Sequence, residues 1–170
     1  VSLRARIPSA HYRGHVIAVA PAVEPVSAAE LRAFLRDTVE GLPDTEADAL
    51  ITEARQLIEQ MTGLALVQQD WRLALDRWPS GRGPWWDGVR EGAISEIHGQ
   101  PAVLELPRYP LMSVQSVTVY GTDGTPAVVN VASTFDVDTY QQPGRLALRF
   151  GQIWPIAMRP TNAVEIVYRA

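Results

Sequence analysis

The hydrophobic period of this chain changes once, at Gly63, and that change limits the fold more than any other feature. Before it, Ala47, Leu50, Ile51, Ala54, Leu57, Ile58 and Met61 recur at three- and four-residue spacing. They predict an amphipathic helix over about 45–62, with Leu50, Ile51, Leu57 and Ile58 expected in the core. Glu46, Asp48, Glu53, Arg55, Glu59 and Gln60 fill the other face, and Gly63 stands where a helix ends on a left-handed residue. A shorter helix is predicted over 27–37. Ser27 and Glu30 form a capping-box pair there, and Leu31, Phe34 and Leu35 make one apolar face. The turn Gly41-Leu42-Pro43-Asp44 joins the two into a helical hairpin.

After Gly63 the period is two. Trp71, Leu73 and Leu75 alternate with Arg72, Ala74 and Asp76, as in a half-buried strand. Further strands are predicted at 102–106, 113–120, 126–131, 145–150 and 163–168, with a short one at Thr134–Asp138. Asp123-Gly124 marks a hairpin turn. Residues 79–101 lose periodicity and read as a long loop. Residues 1–24, with Pro8 and Pro21, read as an extended arm that is either disordered alone or ordered by a partner. The expected fold class is α+β: an extended arm (1–24), a helical hairpin (25–63) and a mainly antiparallel β-region (64–170).

Composition removes several function classes. The 170 residues suffice to bury roughly 70% of the surface of the unfolded chain, so folding requires neither metal nor disulfide. Cysteine is absent, which excludes thiolate chemistry. No apolar run of about 18 residues is present, so no membrane-spanning helix is expected. The net charge is −4, and all 15 basic residues are Arg. That balance argues against tight nucleic-acid binding, which needs clustered cations.

Candidate chemistry is sparse. His11 and His15 lie four apart but lack a third ligand, and read as a surface pair. His98 sits alone in the long loop. Asp136 and Asp138 alternate along a strand and read as solvent-facing acids. Ser113 and Ser116 have no histidine nearby, and no nucleophile-elbow, phosphate-loop or dinucleotide pattern occurs. No enzyme activity, cofactor or metal is therefore expected. The adjacent Trp85 and Trp86 cannot share one strand face, and mark an expected contact surface with Arg82 and Arg90. Leu3, Ile7 and Ile17 of the arm are expected to order against a neighbouring subunit. An alternative is a tail-associated or carbohydrate-binding β module that presents both Trp rings to solvent.

Several segments together resemble a known family. Thr62-Gly63-Leu64-Ala65-Leu66 closes the helix, and Gln68-Gln69-Asp70-Trp71-Arg72-Leu73-Ala74-Leu75 follows. Then come Leu106-Pro107-Arg108-Tyr109-Pro110-Leu111, the strand Ser113–Tyr120, and Gly144-Arg145-Leu146-Ala147-Leu148. Trp154-Pro155 and Asn162-Ala163-Val164-Glu165-Ile166-Val167-Tyr168 complete the series. In order and spacing, from about 25 to 170, the chain resembles the phage head–tail connector (adaptor) family, including the adaptors of gene transfer agent particles.

The resemblance implies a structural subunit that forms a ring, usually dodecameric, below the portal protein. Such a ring extends the DNA channel, lets DNA pass without tight binding and receives the next connector, the stopper. It implies a place in the virion or phage-like particle, assembled in the bacterial cytoplasm. The family pattern continues past the last strand into C-terminal helices that engage the portal, and this sequence ends at Ala170.

Overall fold

The structure is a computed structural model that describes residues 12–35, 41–78, 103–157 and 159–170. Among these residues, eight strands and three helices follow in the order β1 (Tyr12–Val19), α1 (Ala28–Leu35), α2 (Asp44–Thr62), β2 (Asp70–Leu75), β3 (Val103–Glu105), β4 (Ser113–Tyr120) and β5 (Pro126–Val129). The short α3 (Val131–Thr134), then β6 (Phe135–Asp138), β7 (Arg145–Leu148) and β8 (Val164–Arg169) complete the order. The α+β class with an antiparallel β-region is what the change of period predicts.

The strands form two antiparallel sheets. The larger has the order β1-β2-β8-β4-β5 and the smaller β3-β7-β6. Alternation decides which side chains enter the core. Trp71, Leu73 and Leu75 of β2, and Val164, Ile166 and Tyr168 of β8, are buried. They join Leu104, Phe135, Leu146 and Leu148 of the smaller sheet in one apolar cluster. Backbone pairing holds Gln69 against Ala170 in both directions, at 2.9 and 3.1 Å.

Local signals behave as expected at the helices. The Ser27 amide donates to the Glu30 carboxylate at 2.8 Å, and the Glu30 amide donates back to the Ser27 hydroxyl at 3.2 Å. Gly63 ends α2 with φ 79°, and a Cβ there would lie 3.0 Å from the Tyr109 ring. Both the backbone and the packing therefore require glycine at this position.

Two expectations fail. The second half of the arm, expected to be either disordered alone or ordered by a partner, is strand β1, paired with β2 of its own chain from Tyr12↔Leu75 to Val19↔Asp70. The apolar stripe of α2 is also not the buried face. Ala47, Ile51, Arg55 and Glu59 are buried, whereas Leu50, Leu57 and Ile58 are exposed. The buried residues recur every four positions and include a charge pair, so apolar periodicity alone points about a quarter-turn away from the contact face.

Candidate assembly surfaces

The two sequence segments 62–66 and 106–111 meet in space and anchor α2 to the sheets. Tyr109 receives a hydrogen bond from the Ala65 amide at 2.7 Å, and its own amide donates to the Gly63 carbonyl at 3.3 Å. Its hydroxyl donates to the Thr62 carbonyl at 2.5 Å. The Arg108 guanidinium donates to the Glu59 carbonyl and stacks 4.5 Å above the Trp71 ring. These contacts satisfy carbonyls that a helix C-terminus would otherwise leave open.

Beneath them lies a buried polar cluster. The Glu59 carboxylate accepts from Arg55 at 3.1 Å, from the Gln69 amide group at 2.8 Å and from the Leu66 backbone amide at 3.0 Å. Arg55 also donates to Glu24 at 2.7 and 3.1 Å, which ties the segment between β1 and α1 to α2. The Arg55 guanidinium holds the Glu24 carboxyl below the ordinary carboxylate range. The two buried charges, Glu59 and Arg55, are each multiply bonded, as a buried charge must be.

His15 is drawn into the same region. Its ring stacks on Trp71 with centroids 4.7 Å apart, and its Nε2 lies 2.8 Å from the Tyr168 hydroxyl. That hydroxyl accepts from the Arg108 amide at 3.1 Å. Burial, with the Arg108 charge as a second cause, lowers the His15 pKa to about 4. The imidazole is therefore neutral at pH 7, and the direction of its bond with the Tyr168 hydroxyl follows its tautomer. His15 is a packed sheet residue and not the surface residue that its spacing from His11 suggests.

The opposite end of the larger sheet is built differently. The registers Asp70↔Arg169 and Ser113↔Arg169 mark the end beside α2, and Leu75↔Val164 and Val119↔Val164 mark the other. At that other end, the indole of Trp78 donates to the Pro155 carbonyl at 2.7 Å and stacks on Trp154 at 4.5 Å. The Arg159 amide donates to the Tyr120 carbonyl at 3.2 Å, and its guanidinium lies 4.0 Å over the Tyr120 ring. The segment 149–159 is thus pinned at its centre and end. Phe150, Ile153 and Ile156 nevertheless stand in solvent, Phe150 fully so.

Large exposed apolar residues therefore occupy both ends of the larger sheet, on elements held by specific bonds. On the helical side they are Phe34, Leu50, Leu57 and Met61. Clusters of exposed large apolar residues mark contact sites more often than accidents. The helical stripe is legible as an apolar period, which by itself points to a core face. The stretch 150–156 has no period; what distinguishes 139–163 is the absence of any acidic residue, alongside Arg145, Arg149 and Arg159.

The residues singled out for contact fare unequally. Ile17 lies on the edge strand β1 and is 37% exposed. Leu3, Ile7, Arg82, Trp85, Trp86 and Arg90, like His11 and His98, lie outside the described residues. Asp136 pairs with Arg149 at 3.0 Å and Asp138 with Arg145 at 2.5 Å, so these acids serve neighbouring strands β6 and β7. Among the described residues no group of His, Cys, Asp or Glu is placed to hold a metal, and no helix is long and apolar enough to cross a membrane.

No family model matches the chain, and no curated protein does. Solved structures do. A chain in the neck of an empty GTA particle computed with C6 symmetry superposes with TM-score 0.64 at 23% identity, over 92% of this chain and 70% of that one. The chain shares this fold. A chain in the virion of a native gene transfer agent particle gives TM-score 0.58 at 21% identity, over 91% and 71% of the two chains. One in the neck of a native GTA particle computed with C12 symmetry gives 0.52 at 21%, over 89% and 68%.

Proposed function

We propose that this chain is a structural, non-enzymatic subunit of a gene-transfer-agent-like or tailed-phage-like particle, an adaptor that forms a ring in the neck. The observation that carries the reading is the shared fold with neck chains of GTA particles over 92% of the chain. The solved necks are assemblies of C6 and C12 symmetry, which supports a ring of copies here. Rigidly anchored apolar residues at both ends of the sheet suit a subunit whose surfaces are covered in an assembly. The segments that carry the family resemblance, 62–66 and 106–111, are also the ones that lock α2 to the sheets.

In this reading the ring lies below the portal protein, receives the stopper and continues the DNA channel between capsid and tail. A net charge of −4 with no Lys suits a channel wall that lets DNA slide. Affinity for duplex DNA at physiological salt is expected to be no better than about 10⁻⁴–10⁻⁶ M. Trp85 and Trp86 with Arg82 and Arg90, and Leu3, Ile7 and Ile17 of the arm, are the proposed additional contacts within the particle.

The test is removal of the gene product from a particle-producing cell, followed by electron microscopy. Heads and tails that accumulate unjoined, and that join again when the chain is restored, are the expected result. Complete particles formed without it would overturn the reading.

A further inference from the structure

The two exposed apolar faces differ in shape and in charge. Leu50, Leu57 and Met61 lie on one side of α2, and helix geometry places the exposed Glu46 and Glu53 beside them, on the side away from the core. α2 carries Asp44, Glu46, Asp48, Glu53 and Glu59 against Arg55 alone, and Arg55 is buried. The second face, Phe150, Ile153 and Ile156, lies in the acid-free stretch 139–163. Arg149 shares its charge with Asp136. Arg159 is held by the Thr161 and Asn162 carbonyls and the Tyr120 ring, and among the described residues not by a carboxylate. The acidic-rimmed helix is thus bonded at the Asp70–Arg169 end of the larger sheet, and the Arg-rimmed segment at the Leu75–Val119 end, with strands roughly 17 Å long between them.

Neither face complements itself. An isologous contact would set Glu46 and Glu53 against their own copies, or Arg159 against its own. The two faces do complement each other in charge, and both are apolar at the centre, as interface cores are. Sites at opposite ends of a rigid unit cannot meet within one chain, so their pairing joins successive copies head to tail. That is the heterologous contact from which rings close.

We infer that the α2 face of one copy of this chain docks on the Phe150–Ile156 loop of the next. This rests on the ring reading and names the surfaces that make the ring. Phe150 is the main anchor: a fully exposed aromatic side chain offers roughly 150–250 Å² at low entropic cost. Glu53 meets Arg159 at the rim.

Complementary variants test it. Leu57→Asp with Met61→Asp removes one face, and Phe150→Asp with Ile153→Asp removes the other. All four positions are exposed, so each variant should unfold at nearly the wild-type temperature. Leu57→Ser with Met61→Ser and Phe150→Ser with Ile153→Ser provide milder versions should the charges disturb folding. Sedimentation velocity and native mass spectrometry are run from micromolar to millimolar concentration.

The wild type should associate as concentration rises, and each variant alone should remain monomeric. An equimolar mixture of the two should form dimers and stop there, because it can make one intact junction and no more. If the wild type associates but the mixture does not dimerise, or if either variant still assembles like the wild type, the pairing is wrong while the ring reading stands. A wild type monomeric even at millimolar concentration also overturns the pairing. The ring reading itself falls only with the deletion experiment above.

Discussion

Strand β2 and helix α2 lie next to each other in sequence and treat their apolar residues in opposite ways. In β2 every second residue, Trp71, Leu73 and Leu75, is buried, and Arg72 between them is exposed. In α2 the buried face holds Ala47, Ile51, Arg55 and Glu59, while Leu57 is 58% and Met61 77% exposed. A strand between two others has one inner face, set by its register, so alternation reports the core of the chain itself. A helix laid on the end of a sheet is free to rotate about its axis. Its orientation is chosen by the bonds that hold it, here Glu59 to Gln69 and Leu66, and Arg108 to the helix C-terminus. The apolar stripe left outside is then available to another molecule.

The largest effect should come from the charged face of α2. Glu59→Ala leaves the Gln69 side chain and the Leu66 amide without their acceptor in a buried site, and leaves Arg55 with Glu24 alone. It should cost about 3–5 kcal/mol in denaturant unfolding. A loss below about 1 kcal/mol would mean that the helix is held by its apolar residues after all. On the strand side, Leu73→Ala in the fully buried centre of β2 should cost about 2–5 kcal/mol.

Acid should remove the contribution of His15 before it removes that of the ion pairs. His15 has a folded pKa of about 4 against 6.5 in its ordinary state, so the unfolded chain takes up the proton first. Its contribution is complete above pH 6.5 and is lost as pH falls from 6.5 to about 4, by ~3 kcal/mol at 1.36 kcal/mol per pH unit. The paired carboxyls Glu24, Asp70 and Asp138 are held below their usual range by Arg55, Arg169 and Arg145 respectively. Their share is present above the ordinary carboxylate pKa and disappears only at lower pH. Unfolding free energy measured from pH 7 to 4 should fall in the wild type and stay nearly level over pH 6.5–5 in His15→Phe. An equal slope in both would place the titrating group elsewhere.

Gly63→Ala should cost about 1–2 kcal/mol, from the left-handed backbone and the approach of Tyr109. The smallest effect belongs to Leu57→Ala, below about 0.5 kcal/mol in the isolated chain. The apolar period taken alone predicts several times more for this residue. A large loss in the monomer would put Leu57 in the core and remove the difference between helix and strand.

Much of the architecture follows from local rules. The change of period at Gly63, the Ser27–Glu30 cap, the Asp123-Gly124 turn and seven of the strands need only neighbouring residues for their explanation, and local geometry acts over a few positions. The pairing of β1 with β2, the sheet order, the rotation of α2 and the stacking of His15 on Trp71 need residues far apart in the chain. Arg108 reaches Glu59 across 49 positions and Tyr168 reaches His15 across 153. No one-dimensional period encodes such distances, because they depend on how two sheets and a helix fit together. The same holds for the candidate surfaces: Leu57 and Phe150 are both apolar in sequence, and only the folded chain shows that neither is covered.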